Sequence, residues 1–430
     1  MADQSFPNRD EIEANQLEQL RSLAAELIPG NRFYSEKFSA AGITFDVASL
    51  KDYSARFPFT TKAELVADQE RHSPFGTNLT YPLQRYVRYH QTSGTKGKPL
   101  RWLDTTESWE AMVESWMEIF RAAGVTAGDR VYFAFSFGPF IGFWLAFDSA
   151  ARLGCLCIPG GGLTSAARMQ PILDNGVTVL CCTPTYAIRL GETAKEGGME
   201  LGRLKVRTVV VAGEPGGSIP SMRKKISELW RGASVFDHHG MTETGPVTYE
   251  CPKQPGRLHV LESAFFAEII TPASGKSVQP GEIGELVLTT LARTGSPLLR
   301  YRTGDLVKGR LESGPCNCGR HELALEGGII GRTDDMVVVK GVNIYPSAIE
   351  EIVRACRGVA EYEVVISQKQ ALAELALRIE AALDCSDVSS LAGKLEKSFE
   401  SALAMRVPVT LVPNGTLPRF EMKAKRWVRE

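Results

Sequence analysis

From Arg130 onward, apolar runs of strand length alternate with stretches whose apolar residues recur at helical spacing. Arg130–Phe135 is followed by Phe140–Leu153, Cys155–Ile158 by Ser165–Asp174, and Val177–Cys182 by Pro184–Ala194. Thr208–Ala212 then leads to Ser218–Trp230, and Ser234–Asp237 closes the series. Strand-length runs that are apolar throughout predict strands covered on both faces, and their alternation with helices predicts parallel crossovers. In such sheets a ligand sits beyond the carboxyl ends of the strands. Gly213-Glu214-Pro215 and Asp237–Glu243 fall there.

The flanks read differently. Glu11–Leu27 has helical spacing and ends at Pro29-Gly30, and Arg85–His90 reads as a strand. Glu285–Thr290 and Leu298–Arg302 have no helix between them, which predicts antiparallel strands. After Gly331 comes a compact α+β pattern: strand Met336–Lys340, helix Pro346–Ala355, strands Glu361–Ser367 and Leu372–Ile379, helix Asp387–Ala402, strand Val407–Val412. The expected fold class is α/β. A large N-terminal domain, residues 1–332, would hold a mostly parallel covered sheet plus antiparallel strands, with a small α+β C-terminal domain at 333–430.

Composition narrows the function classes. Over 430 residues, 43% apolar and 23% charged positions are the balance of a folded globular protein. A formal net charge of -1 leaves no chain-wide basic field for nucleic acid. The most apolar stretch, Val131–Ala151, is cut by Gly138, Pro139, Gly142 and Asp148, so no membrane span is expected. The acidic, polar start MADQSFPNRDEIE lacks a signal pattern, and nine cysteines in no framework spacing suit a reducing cytoplasm.

Four groups of residues carry candidate chemistry. Thr92-Ser93-Gly94-Thr95-Lys96-Gly97-Lys98-Pro99 interleaves hydroxyls with glycines, either a loop suited to wrapping phosphate oxygens, though not a Walker loop, or an ordinary surface turn. Asp237-x-His239-Gly240-x-Thr242-Glu243 follows a strand; it offers one carboxylate to a phosphate-bound magnesium ion, or else a capped helix start. Arg300–Asp305 reads as a strand ending in a turn whose acid is either an acceptor for two ribose hydroxyls or a plain turn residue. Cys316-x-Cys318, with Cys251 and His259, would close a tetrahedral structural zinc site, with His321 as the alternative to His259, or else these are free thiols.

In this order, T-S-G-T-K-G-K-P, G-E-P, D-x-x-G-x-T-E, Y-R-T-G-D and G-R-T-D-D-M-x-x-x-K-G resemble the adenylate-forming ligases, the acyl-CoA synthetase superfamily. Cys181–Ala187, Pro297–Asp305 and Gly341–Pro346 resemble its phenylacetate-CoA ligase branch, and the similarity runs from about residue 55 to the end. The resemblance implies that Ser93, Gly94 and Thr95 hold ATP phosphates. Gly213, Glu214 and Pro215 would line adenine, with Thr242 near the α-phosphate and Glu243 on Mg2+. Asp305 and Arg332 would bind ribose, and Asp334 would be the pivot of a mobile C-terminal domain. His239 stands where the family usually stacks a tyrosine on adenine. Lys423, in Met422-Lys423-Ala424-Lys425-Arg426, matches the lysine that bridges carboxylate and α-phosphate, with Lys425 as its rival.

Phe133, Phe135, Phe137, Phe140, Phe143 and Trp144 crowd one junction, an aromatic lining suited to a flat acid or a plain core. By resemblance this region and Gly160–Gly162, Gly161 among them, border the acyl pocket. The P-C-x-C-G-R string at Pro315–Arg320 recurs in the branch, where some members carry a metal. The implied activity is ATP-dependent activation of an aryl or arylacetic acid, then transfer to coenzyme A. Thr95, Glu243 and Lys423 would share the first step. The partners are the acid, ATP and CoA, with a homodimer as the candidate assembly and neither nucleic acid nor membrane. Two alternatives remain: an adenylating enzyme with a carrier-protein, amine or cofactor acceptor, and a non-catalytic nucleotide-binding homologue.

Overall fold

The computed structural model describes residues 6–92, 98–311, 314–339, 342–369, 372–383, 385–403, 405–420 and 424–430. It gathers into two compact units, each built from two segments: Met1–Gly161 with Asp237–Ile329, and Gly162–Phe236 with Ile330–Glu430.

The first unit begins with helix Arg9–Gly30, which runs through Pro29-Gly30 rather than stopping before it. Asn8 accepts the Glu11 N–H at 3.0 Å while the Glu11 carboxylate takes the Asn8 N–H at 2.8 Å. This reciprocal cap fixes the helix start. Leu20, Leu23 and Leu27 pack with Tyr34, Phe38, Tyr53 and Phe57 in one buried cluster. Strands Tyr86–Gln91 and Arg101–Thr105 pair antiparallel on either side of the glycine-rich loop. Thr105 then caps helix Thr106–Ala122, accepting the Ser108 N–H at 3.2 Å. Strands Arg130–Phe133 and Leu156–Pro159 pair in parallel, joined through helix Ile141–Arg152.

Six further strands of this unit pair antiparallel in the order Thr248–Glu250, Arg257–Val260, Ala324–Glu326, Tyr301–Arg310, Ile283–Thr290, Phe265–Ile270. One expectation is corrected here. Leu298–Arg302 is not a strand; the strand starts at Tyr301 and runs to Arg310, with Asp305 inside it. Arg300 takes a left-handed φ of 45°, which breaks the extended run. Val287 faces Arg302 and Glu285 faces Leu306, so Thr303, Gly304 and Asp305 together oppose Leu286 alone. Gly304, at φ 76°, supplies the backbone that this bulge requires.

In the second unit, Val179–Cys182 and Thr208–Val211 pair in parallel, with every residue of both strands buried. Helices Ser165–Asp174, Pro184–Glu196 and Pro220–Leu229 belong to the same segment. The C-terminal segment forms a four-stranded sheet in the order Val409–Leu411, Leu372–Ala381, Val359–Lys369, Trp427–Arg429. Its central pair is antiparallel and its outer strands are parallel to their neighbours. Helices Pro346–Ala355 and Val388–Leu403 contribute Ile349, Val353, Leu391, Leu395 and Phe399 to its core. Among the described residues, no helix is long and apolar enough to cross a membrane.

Candidate active site

A tight hairpin carries the acidic motif of the first unit. Gly240–Met241 pairs with Gly245–Pro246, leaving Thr242, Glu243 and Thr244 as its loop; the capped helix start does not form. Two glycines impose this turn. A Cβ on Gly240 would lie 2.8 Å from the Gly245 carbonyl oxygen, and Gly245, at φ 84°, presses on Met112, whose Sδ would be 2.6 Å from a Cβ. The Glu243 carboxylate is buried and takes the Lys62 ammonium at 2.9 Å and the Tyr301 hydroxyl at 3.4 Å. Lys62 escaped the sequence reading. Its signal was the capping box of Thr61 and Glu64, which makes Lys62 the first residue of helix Lys62–Arg71.

His239 donates its N–H to Thr248 Oγ1 at 2.9 Å, and its imidazole Nε2 lies 3.0 Å from Asp305 Oδ2. The residue in the tyrosine's place thus touches the expected ribose acceptor. Asp237 is buried, and its N–H donates to Glu250 at 3.0 Å. Between them, His238 meets the Trp116 ring at 4.3 Å. Burial, then the neighbouring His239, pushes the His238 pKa down to about 3, so it is neutral.

In the second unit, Gly213, Glu214 and Pro215 follow strand Thr208–Val211. The Glu214 carboxylate accepts the Thr185 N–H at 2.9 Å through one oxygen and the Ala424 N–H at 2.8 Å through the other. Arg332 and Asp334 pair at 3.4 Å, both half-exposed, and the Asp335 N–H closes the turn onto the Arg332 carbonyl at 3.2 Å. Arg426 is buried, 2.7 Å from Glu361 and 3.5 Å from Glu350. Ser93, Gly94, Thr95 and Lys423 lie outside the described residues.

The aromatic group divides. Phe133 is fully buried and belongs to the core, whereas Phe135, Phe137, Phe140 and Phe143 are half-buried. Phe135 stacks on Phe143 at 4.1 Å, Phe140 meets Phe143 edge-on at 6.0 Å, and Phe137 meets Trp144 at 4.9 Å. A Cβ on Gly161 would stand 3.5 Å from the Phe135 carbonyl oxygen and 3.8 Å from the Phe137 ring, ordinary van der Waals contact that places Gly161 beside both residues.

Cys251, His259, Cys316 and Cys318 converge, their ligand atoms all within 4.8 Å of one another. Cys251 and Cys316 sulfurs are 3.7 Å apart, and Cys318 Sγ is 3.4 Å from His259 Nε2. Burial pushes the Cys251 thiol up to about 12. Burial opposes the Cys316 thiolate too, but the Cys318 N–H, the neighbouring thiols and the Arg257 guanidinium hold it below the ordinary range.

The AMP-binding enzyme family model matches residues 86–292, and the model of the AMP-binding enzyme C-terminal domain matches residues 341–430. The phenylacetate-coenzyme A ligase of Pseudomonas putida is 31% identical over 96% of this chain and 93% of its own. The chain belongs to the phenylacetate-coenzyme A ligase family of AMP-binding enzymes. The structure of a 2-hydroxyisobutyryl-CoA ligase in the post-adenylation state, in complex with 2-HIB-AMP, is similar at a TM-score of 0.93 and 28% identity, covering 99% of this chain and 91% of that one. The same ligase with CoA, in its thioesterification state, gives a TM-score of 0.74 at 29% identity, over 99% and 91% of the two chains. The two matched AMP-binding enzyme regions take in the Thr242–Glu243 hairpin, Glu214 and Ala424. Asp305, Arg332 and Asp334 fall between the matched regions.

Proposed function

We infer that the chain activates a carboxylic acid with ATP, forming an acyl-adenylate and pyrophosphate, and then passes the acyl group to coenzyme A, releasing AMP. The carrying observation is similarity to a phenylacetate-CoA ligase over 96% of the chain. In the first step a carboxylate oxygen would attack the α-phosphorus and pyrophosphate would leave. Two anions must be brought together, so cationic and hydroxyl groups are needed where the charge builds. Lys423 and Thr95 would supply them. Asp305 and Arg332 would orient the ribose, and the main chain of Gly213–Pro215 would border the adenine. In the second step the CoA sulfur would attack the mixed anhydride, with AMP as leaving group.

Glu243 fits a magnesium ion: its buried carboxylate already accepts a cation, the Lys62 ammonium, at 2.9 Å. Bound there, Mg2+ would neutralise phosphate charge. The three thiols and one imidazole fit zinc, which would be structural because the set leaves no open position. The domains 1–332 and 333–430, with movement about Asp334, remain part of this proposal. The lower TM-score to the thioesterification state of the 2-hydroxyisobutyryl enzyme supports such movement within the family. A cytoplasmic homodimer completes the reading.

An aryl or arylacetic acid is the proposed substrate, on the stacked Phe135–Phe143 pair and the Phe137–Trp144 contact. The test measures pyrophosphate release with phenylacetate, benzoate and 2-hydroxyisobutyrate, with and without CoA, and seeks the thioester by mass spectrometry. The expected result is an aryl-CoA. Preference for 2-hydroxyisobutyrate overturns the aryl assignment, accumulated acyl-AMP in the presence of CoA overturns the acceptor, and no acid-dependent pyrophosphate at all overturns the enzyme.

A further inference from the structure

Arg293 and Asp104 form an ion pair to which no step above gives a role. Arg293 lies just after strand Ile283–Thr290 and Asp104 lies on strand Arg101–Thr105, and their side chains are 2% and 0% exposed. Nε and Nη2 of Arg293 donate to the two Asp104 oxygens at 2.6 and 2.7 Å. The remaining nitrogen, Nη1, donates to the carbonyl of Thr242 at 2.9 Å and to that of Glu243 at 2.8 Å. Burial alone would raise the Asp104 pKa, but the adjoining guanidinium holds it below the ordinary carboxylate range, so the pair is ionised.

A buried pair of this kind is a weak source of net stability, because desolvation offsets the attraction and apolar residues of similar volume often do as well. Apolar residues would not grip two consecutive carbonyls in a three-residue hairpin loop. Fixing the peptide groups of Thr242 and Glu243 also fixes the direction in which each side chain leaves the turn. The Asp104 end reaches the other phosphate motif. Its strand pairs with Tyr86–Gln91, which enters the glycine-rich loop, and Asp104 Oδ2 is 3.8 Å from His90 Nδ1. Thr92 and Leu100 flank that loop and bond to each other twice: Thr92 N–H donates to the Leu100 carbonyl at 3.0 Å, and the Thr92 side-chain Oγ1 accepts the Leu100 N–H at 2.9 Å.

We propose that the Asp104–Arg293 pair is a positioning element of the adenylation site, holding the Thr242–Glu243 turn in register with the strands that bear the glycine-rich loop. Its functional consequence rests on the magnesium role proposed for Glu243. The test uses the full chain with Arg293→Lys, with the double change Asp104→Leu and Arg293→Met, and with Glu243→Ala as reference. The double change leaves no charge buried alone, so it should melt near the parent temperature. Arg293→Lys keeps the charge and covers the case in which the double variant fails to fold.

Two readouts follow. Amide hydrogen exchange of a peptide spanning residues 240–246, without nucleotide, should quicken in both Arg293 variants while the rest of the chain is unchanged. In acid-dependent pyrophosphate exchange, half-saturating Mg2+ should rise about 10–100-fold in the double variant, less in Arg293→Lys, with KM for the acid unmoved. Parent-like exchange at 240–246 in a folded variant would overturn the proposal. A parent-like Mg2+ dependence in Glu243→Ala would remove the magnesium reading instead, and local exchange alone would then decide for or against the clamp.

Discussion

Replacing His238 with phenylalanine should remove most of one component of the protein's sensitivity to mild acid. In the folded chain the imidazole is buried against Trp116 and its pKa is pushed down to about 3 from an ordinary 6.5. The folded pKa lies below the unfolded one, so between the two values the unfolded chain binds a proton that the folded chain refuses. Stability is therefore whole above about pH 6.5 and falls by about 1.4 kcal/mol for each further pH unit. The loss attributable to His238 is about 1.4 kcal/mol by about pH 5.5 and about 2.7 kcal/mol by about pH 4.5. Urea unfolding of parent and variant at several pH values, followed by tryptophan fluorescence, measures it. The informative quantity is the difference in slope, since the packing change itself shifts both ends equally. Parallel lines for parent and variant across this window would show that His238 takes its proton in the folded state, and the burial argument would fail.

The other expectations concern the second unit, the metal and the first half-reaction. Arg426→Met strands Glu361, 2.7 Å from the guanidinium, while Arg354 still stands 3.6 Å from Glu361 and 2.9 Å from Glu350. The cost should therefore lie near the low end for a broken buried pair, about 3 kcal/mol, or a fall of about 6–12 °C in Tm by calorimetry; a fall of a degree or two would mean that Arg354 compensates fully. Purified protein should carry about one equivalent of zinc by atomic emission, and Cys318→Ser should lower Tm more than nucleotide affinity. Metal-free protein of full stability would return Cys251, His259, Cys316 and Cys318 to ordinary thiols and an ordinary imidazole. Lys423→Ala should lose acid-dependent pyrophosphate exchange by ~10²–10³-fold yet still make thioester from supplied acyl-adenylate. Equal loss of both half-reactions would deny the lysine a step-specific role.

Local pattern made the regular elements legible. Helices Ser165–Asp174 and Pro346–Ala355 occur with the bounds their spacing and flanking residues imply: Thr164 caps the first, Pro346 opens the second at its first helical position, and the apolar face agrees in both. The pattern failed where backbone conformation is set from outside the segment. Leu298–Arg302 is apolar enough for a strand, but the left-handed Arg300 is held by Glu268 at 2.9 and 3.0 Å, a partner that no local pattern reveals. Helix Thr106–Ala122 was overlooked although Trp109, Met112, Val113, Trp116 and Phe120 recur on one buried face. Of the candidate site, the residue types were visible and their partners were not. The His239–Asp305 contact, the Lys62–Glu243 pair and the Asp104–Arg293 clamp each join distant stretches of chain. For Asp104 and Arg293 the available signal was only a charge directly after two apolar residues, in Trp102-Leu103-Asp104 and Leu291-Ala292-Arg293.

Glu214 shows how such partners change the reading of a motif. As part of a triplet expected along the adenine, its carboxylate invites a role toward the base. Both of its oxygens are already engaged, one by the Thr185 N–H at the start of helix Pro184–Glu196 and the other by the Ala424 N–H. An acceptor so placed satisfies an orphan donor of the helix's first turn, where negative charge is also favoured by the dipole. Contact with a purine would then fall to the main chain of Gly213–Pro215, and the side chain's identity is explained by a different task. That task is to tie residue 424, one position after Lys423, to the segment that contributes the buried parallel strands. Arg426 does the same two residues later, with Thr185 Oγ1 3.4 Å from its guanidinium. Two ties to one helix start, from a carboxylate and a guanidinium on opposite partners, restrict the register of the C-terminal strand far more than its three-residue pairing at Trp427–Arg429 would alone.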